Sequence, residues 1–135
     1  MRRVREGLIV LVCALAGGIV WAQEAHEHGA AAPEHEAAAQ EQTLTGEVVD
    51  VFCYLSHPKE GIGEGHAGCA KKCIKSGLPV AIKVGDQLYL ATMSDHNPAN
   101  QQLADLAAAR VTVRGKVMEL DGQRLIAVSS VEKAE

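Results

Sequence analysis

The segment Val111-Thr112-Val113-Arg114-Gly115-Lys116-Val117 alternates apolar with polar or small residues, and Asp121-Gly122 separates it from the apolar run Leu125-Ile126-Ala127-Val128. Successive side chains of a β-strand point to opposite faces, so a period of two suits a strand and not a helix. Asp-Gly supplies the backbone freedom of a two-residue hairpin turn. The same grammar recurs upstream, where Val80, Ile82 and Val84 alternate with Ala81 and Lys83, and Gly85-Asp86 precedes Leu88-Tyr89-Leu90. Thr43 to Leu55, TLTGEVVDVFCYL, is β-branched and aromatic-rich and predicts a further strand that bulges or bends at Gly46. One stretch departs from this grammar. Asn97-Pro98 joins a capping residue to a proline suited to a first helical position, and Leu103, Leu106 and Ala107 recur at helical spacing, which predicts one short helix before Arg110.

These signals predict an all-β fold with one or two short helices, in the order β-β-β-α-β-β. Across residues 43 to 132 that order resembles an OB fold, a five-stranded barrel whose closure removes the exposed edges of a small sheet. The first connection, residues 56 to 77, departs from the plain fold: it is far longer than the usual hairpin loop of about 2 to 5 residues and rich in Gly, His, Cys and Lys. It predicts a Cys/His helical insertion between strands 1 and 2. In OB folds this connection borders the ligand face, so the resemblance places unusual side chains where binding is expected.

At the N-terminus, Arg2, Arg3 and Arg5 precede an uncharged apolar run over residues 7 to 20, and Val20-Trp21-Ala22 leads into polar Gln23. A basic start, a short apolar run and a small-residue exit are the parts of a secretory signal peptide, and a membrane-spanning helix needs roughly 20 apolar residues. Cleavage after Ala22 and a periplasmic or secreted location are expected, with no stable membrane span left after cleavage. An uncleaved anchor competes with this; acylation at Cys13 is opposed by Val12, where a small residue is normal. The layout is therefore a signal peptide over 1–22, a disordered Ala/Glu/His-rich spacer over 23–42 and the OB-like domain over 43–135. The spacer, QEAHEHGAAAPEHEAAAQEQ, lacks any large aliphatic or aromatic side chain with which to bury a core. His26, His28 and His35 are assigned to it and not to the main site.

The whole chain has 13 Lys and Arg against 17 Asp and Glu; three arginines and Glu6 leave with the signal peptide, so 10 basic and 16 acidic side chains remain. A polyanion is bound largely by neutralising its phosphates, and this balance, without a basic stripe, excludes nucleic acid as a partner. Three of the four cysteines remain, Cys53, Cys69 and Cys73. An odd count in an oxidising compartment points to a free thiol, an intermolecular bond or a metal ligand.

His66, Cys69 and Cys73 stand in the run H-A-G-C-A-K-K-C. On a helix their spacings of three and seven keep the three side chains within about 60° of one another, at roughly 100° per residue. Lys71, Lys72 and Lys75 fall on other faces, and Gly77-Leu78-Pro79 signals the helix end. Cys53, expected at the end of the first strand, is positioned to meet this stripe. Cys53, His66, Cys69 and Cys73 together make a Cys3His set, a closed tetrahedral arrangement for zinc, and thiolates also suit Cu(I). The Cys-x-x-x-Cys element resembles the copper motif of Sco-type exported copper chaperones, which join two cysteines to a distant histidine; the resemblance covers Cys69 and Cys73 and extends to ligand chemistry alone. A second analogy is to OB-fold copper and silver chaperones of efflux systems, which use His, Met and Trp; here Met93 and His96 are the matching residue types in the domain.

The expected function is thus soft-metal binding by an exported protein, with the metal ion and another exported protein as partners. Two alternatives stand beside it. One is a disulfide between Cys53 and a helical cysteine stapling a binding module; the other is a redox-active dithiol. Asp50, three residues before Cys53, fits equally a partner to His66 or a cap on a backbone amide. Tyr54 is assigned to the core, and His57 is a weaker rival to His66. Ser94-Asp95-His96 are too close in sequence to converge as a hydrolase triad. Glu60 and Glu64 are assigned as solvated loop charges, and without a placed general base no enzymatic turnover is indicated.

Overall fold

The computed structural model describes residues 39 to 135. The expected signal peptide and cleavage site, Cys13, and the histidines His26, His28 and His35 lie outside them. Five strands close into a barrel: β1 (Gln40–Asp50), β2 (Val80–Val84), β3 (Gln87–Met93), β4 (Arg110–Leu120) and β5 (Gln123–Lys133). Around the barrel they run β1-β2-β3-β5-β4 and back to β1; β3 and β5 are parallel, and every other neighbouring pair is antiparallel. This is the OB-like order that the sequence predicts. Two short helices, α1 (Val51–Ser56) and α2 (Ala67–Lys75), lie between β1 and β2, and α3 (Asn100–Leu103) lies between β3 and β4.

The core is the set of inward residues the alternation marks. Val48, Ile82, Val111, Val113, Ile126 and Val128 are fully buried, and Leu103 from α3 closes one end beside Ala99 and Ala104. Both hairpins take the expected two-residue turns: Val84 pairs with Gln87 across Gly85-Asp86, and Leu120 pairs with Gln123 across Asp121-Gly122. Gly46 lies flat against β2, where a Cβ would stand 2.3 Å from the Lys83 carbonyl oxygen. It permits close approach of two strands, and the bulge itself falls instead between Arg114 and Gly115 of β4.

Three boundaries differ from the sequence expectation. β1 begins at Gln40, three residues ahead of Thr43, because Gln40, Glu41 and Gln42 pair with Val117, Lys116 and Gly115. These polar residues gain ladder hydrogen bonds without entering the core. β1 also ends earlier than predicted, at Asp50: the expected strand residues Val51 to Leu55 are helical, so Cys53 sits on α1 and not at a strand end. Downstream, Asn97-Pro98 does not start α3. His96 takes a left-handed φ of 67°, the Asp95 carboxylate accepts from both the Asn97 backbone N–H and its side-chain amide, and the helix begins at Asn100.

Candidate metal centre

Asp50 is the residue that turns strand into helix. Its Oδ1 accepts a hydrogen bond at 2.8 Å from the Cys53 backbone N–H, the third-residue amide that a helix-capping side chain satisfies. The β-prone run Val-Phe-Cys-Tyr-Leu thus becomes one and a half turns of helix with Phe52 and Leu55 exposed. The connection then folds back. The Gly61 N–H donates to the His57 carbonyl at 2.6 Å, and a Cβ on Gly61 would lie 2.5 Å from the Cys53 carbonyl oxygen, so only glycine lets the loop close on α1. Glu47 of β1 accepts from the Gly63 N–H at 2.5 Å. A 3-10 turn, Glu64–His66, leads directly into α2.

α2 rests on the barrel through Ala70 and Ile74, four residues apart and both buried. Its end is a Schellman motif: the Gly77 N–H donates to the Ile74 carbonyl and the Leu78 N–H to the Cys73 carbonyl, with Gly77 at a φ of 94°. The side-chain amide of Asn100 donates to the Ile74 and Leu78 carbonyls at 2.8 and 2.7 Å, fastening this end to α3. Lys71 and Lys75 meet Asp105 at 2.8 and 3.2 Å, and these contacts hold the Asp105 carboxyl below its usual range. Lys71 and Lys75 are thus turned to Asp105, on a different face of α2 from the cysteines, as the spacing predicts.

With α1 and α2 so placed, the Sγ atoms of Cys53, Cys69 and Cys73 lie within 4.8 Å of one another, and none of the three is in a disulfide. Cys53 and Cys73 are half-buried and Cys69 is exposed, so the cluster has an inner floor and one sulfur facing solvent. Around a zinc ion with Zn–S bonds of about 2.3 Å, tetrahedral sulfurs stand roughly 3.8 Å apart, a spacing within the 4.8 Å bound on the thiols. His66 is part of a second group that shares one member with the first: ligand atoms of Asp50, Cys53 and His66 also lie within 4.8 Å of one another. His66 Nε2 is 3.1 Å from Asp50 Oδ2, and Asp50 is fully buried. The four sequence-predicted ligands thus appear as three converging sulfurs with His66 beside Cys53, tethered to Asp50. Both readings of Asp50 hold together, since one oxygen caps α1 and the other holds His66.

Burial, then the hydrogen bond and charge of Asp50 and the neighbouring Cys73 thiol, push the Cys53 thiol up to about 12. Burial likewise raises Cys73, with the charge of Asp50 adding to the effect. Such thiols stay protonated at neutral pH until a cation displaces the protons.

The other singled-out residues lie elsewhere. His57 is exposed and follows the last residue of α1, its N–H bonded to the Cys53 carbonyl. Tyr54 is a rim residue with Lys83 Nζ 5.8 Å above its ring, and not a core residue. Met93 packs against the barrel core, while His96 is exposed in the β3–α3 loop. Ser94 and His96 line a groove of about 580 Å³ on the outer face of β3, β4 and β5, away from the thiols. No protein-family model, curated protein or solved structure matches the chain. The fold and site alone define it: an OB-fold-like barrel with side chains close enough to hold a metal ion in its first connection.

Proposed function

We propose that this chain is an exported protein that binds a soft transition-metal ion, Cu(I) or zinc, through Cys53, Cys69 and Cys73 with His66 beside them. The observation that carries this reading is the approach of three unbridged sulfurs from two helices to within 4.8 Å of one another. Cu(I) takes two or three sulfur or nitrogen ligands, and zinc takes four. The ion serves metal handling or holds the insertion together, and delivery would involve another exported protein that meets the cluster from the side where Cys69 is exposed. The raised thiols at Cys53 and Cys73 weigh against a redox-active dithiol, whose attacking sulfur is activated by a lowered value.

Metal content and free-thiol count, measured on the same anaerobically purified protein, test the reading. The expected result is one bound Cu(I) or zinc per chain, with three thiols appearing when the ion is chelated. One disulfide, one unreactive thiol and no binding of either metal after reduction would replace it with a disulfide-stapled binding module.

A further inference from the structure

We propose that Asp50 is a positioning residue that fixes which nitrogen of His66 is offered to the metal: Asp50 holds Nε2, leaving Nδ1 as the ligand atom. This rests on the metal-binding reading above.

Asp50 is fully buried, and among the described residues no lysine or arginine pairs with it. A buried carboxylate is costly unless hydrogen bonds satisfy its oxygens. Both oxygens of Asp50 are satisfied from within the site, Oδ1 by the Cys53 backbone N–H at 2.8 Å and Oδ2 by His66 Nε2 at 3.1 Å. One residue at the end of β1 therefore sets the start of the helix carrying Cys53 and the ring orientation of His66, which lies 16 residues further along the chain. A carboxylate can only accept, so Nε2 carries the hydrogen and the lone pair resides on Nδ1. Metal-ligating histidines commonly donate their second ring N–H to a carboxylate in this way, which fixes the tautomer and raises the basicity of the ligating nitrogen. Cys53 belongs to both residue groups, so a ring nitrogen of His66 lies within 4.8 Å of its sulfur, and with Nε2 held by Asp50 the nitrogen left for an ion is Nδ1.

The test is a long-range proton–nitrogen correlation spectrum of the full chain labelled with [15N]histidine, recorded with and without zinc. His66 is assigned by the signals lost in His66→Ala. Binding is followed in parallel by the thiolate-to-cobalt absorption bands of the Co(II)-loaded protein. Without metal, His66 should show a protonated Nε2; with zinc, the shift of Nδ1 should move and Nε2 should stay protonated. Asp50→Asn keeps a capping oxygen for the Cys53 amide but offers His66 no carboxylate. It should weaken zinc binding about 10- to 100-fold, the usual effect of losing such a partner, and produce a mixture of tautomers. Zinc on Nε2, or thiolate bands with unchanged His66 signals, would overturn the role of Asp50 while leaving the metal site standing. Absence of thiolate bands would remove both. Should Asp50→Asn fail to fold, the wild-type nitrogen assignment still decides.

Discussion

The barrel wall and the connection between β1 and β2 are built on opposite principles. In β4 and β5, alternate side chains such as Val111, Val113, Ile126 and Val128 are fully buried, and the strands are joined by a long antiparallel ladder. Between β1 and β2, α1 buries no residue and α2 buries only Ala70 and Ile74, and the rest of the connection is positioned by individual hydrogen bonds: Asp50 with Cys53 and His66, Glu47 with Gly63, Asn100 with the end of α2. One region stores stability and the other stores geometry. A site placed on the second can lose its ligands without unfolding the first.

Substitutions should separate the two. The largest stability effect is expected in the wall, where Ile126→Ala leaves a cavity and should cost about 2 to 5 kcal/mol in denaturant unfolding. Cys73→Ser should leave the unfolding midpoint of the metal-free protein nearly unchanged, yet weaken Cu(I) or zinc binding by more than the ~100-fold that loss of an outer partner can cost. A global loss of stability from Cys73→Ser would erase the distinction.

Acidity acts on the connection in a definite direction. Because Cys53 is pushed up to about 12 and Cys73 is also raised, each thiolate formed on metal binding releases a proton near neutrality. Apparent affinity should therefore fall about tenfold per pH unit for each proton displaced as pH drops, measurable by competition with a chelator. In the metal-free protein the sign is reversed. A thiol raised above its unfolded value favours the fold below pH ~9, and this contribution is lost as pH rises towards 12. Smaller effects should follow at the joint between the regions. Asn100→Ala removes two hydrogen bonds to α2 carbonyls and should cost about 1 to 3 kcal/mol, seen as faster amide exchange at the end of α2. His57→Ala, in an exposed position, should change stability by less than about 0.5 kcal/mol and leave metal binding intact.

The same contrast explains what was legible in the sequence. The strands and both hairpin turns follow from period-two alternation and Gly/Asp chemistry, because burial on one face leaves a periodic trace. The stripe of His66, Cys69 and Cys73 was legible for the same reason, since a helix also has a period. The end of β1 was not, because Val-Phe-Cys-Tyr-Leu has strand propensity and one hydrogen bond from the Cys53 N–H to Asp50 overrides it. The available signal was a charged residue inside an apolar strand, three positions before Cys53, which is helix-cap spacing. Asn97-Pro98 misled in the opposite way. Asp95 captures Asn97 in a local turn, and a left-handed His96 delays α3 to Asn100. The pairing of Gln40 to Gln42 with β4 leaves no hydrophobic trace at all.

The two ladders that flank β1 differ in the chain length they close. β1 meets β2 across a connection that already contains every proposed ligand, with Asp50 opposite Val80. It meets β4 only after β2, β3 and α3 have been synthesised, as the Thr45–Thr112 hydroxyl pair, 67 residues apart, illustrates. Closing the longer loop costs more entropy, and contacts of high sequence separation slow folding. The segment through β2 is synthesised first and carries all three thiols of the described residues. On the proposed reading, an ion held by that segment would act before barrel closure, as a staple that shortens the search β1 must make for β4.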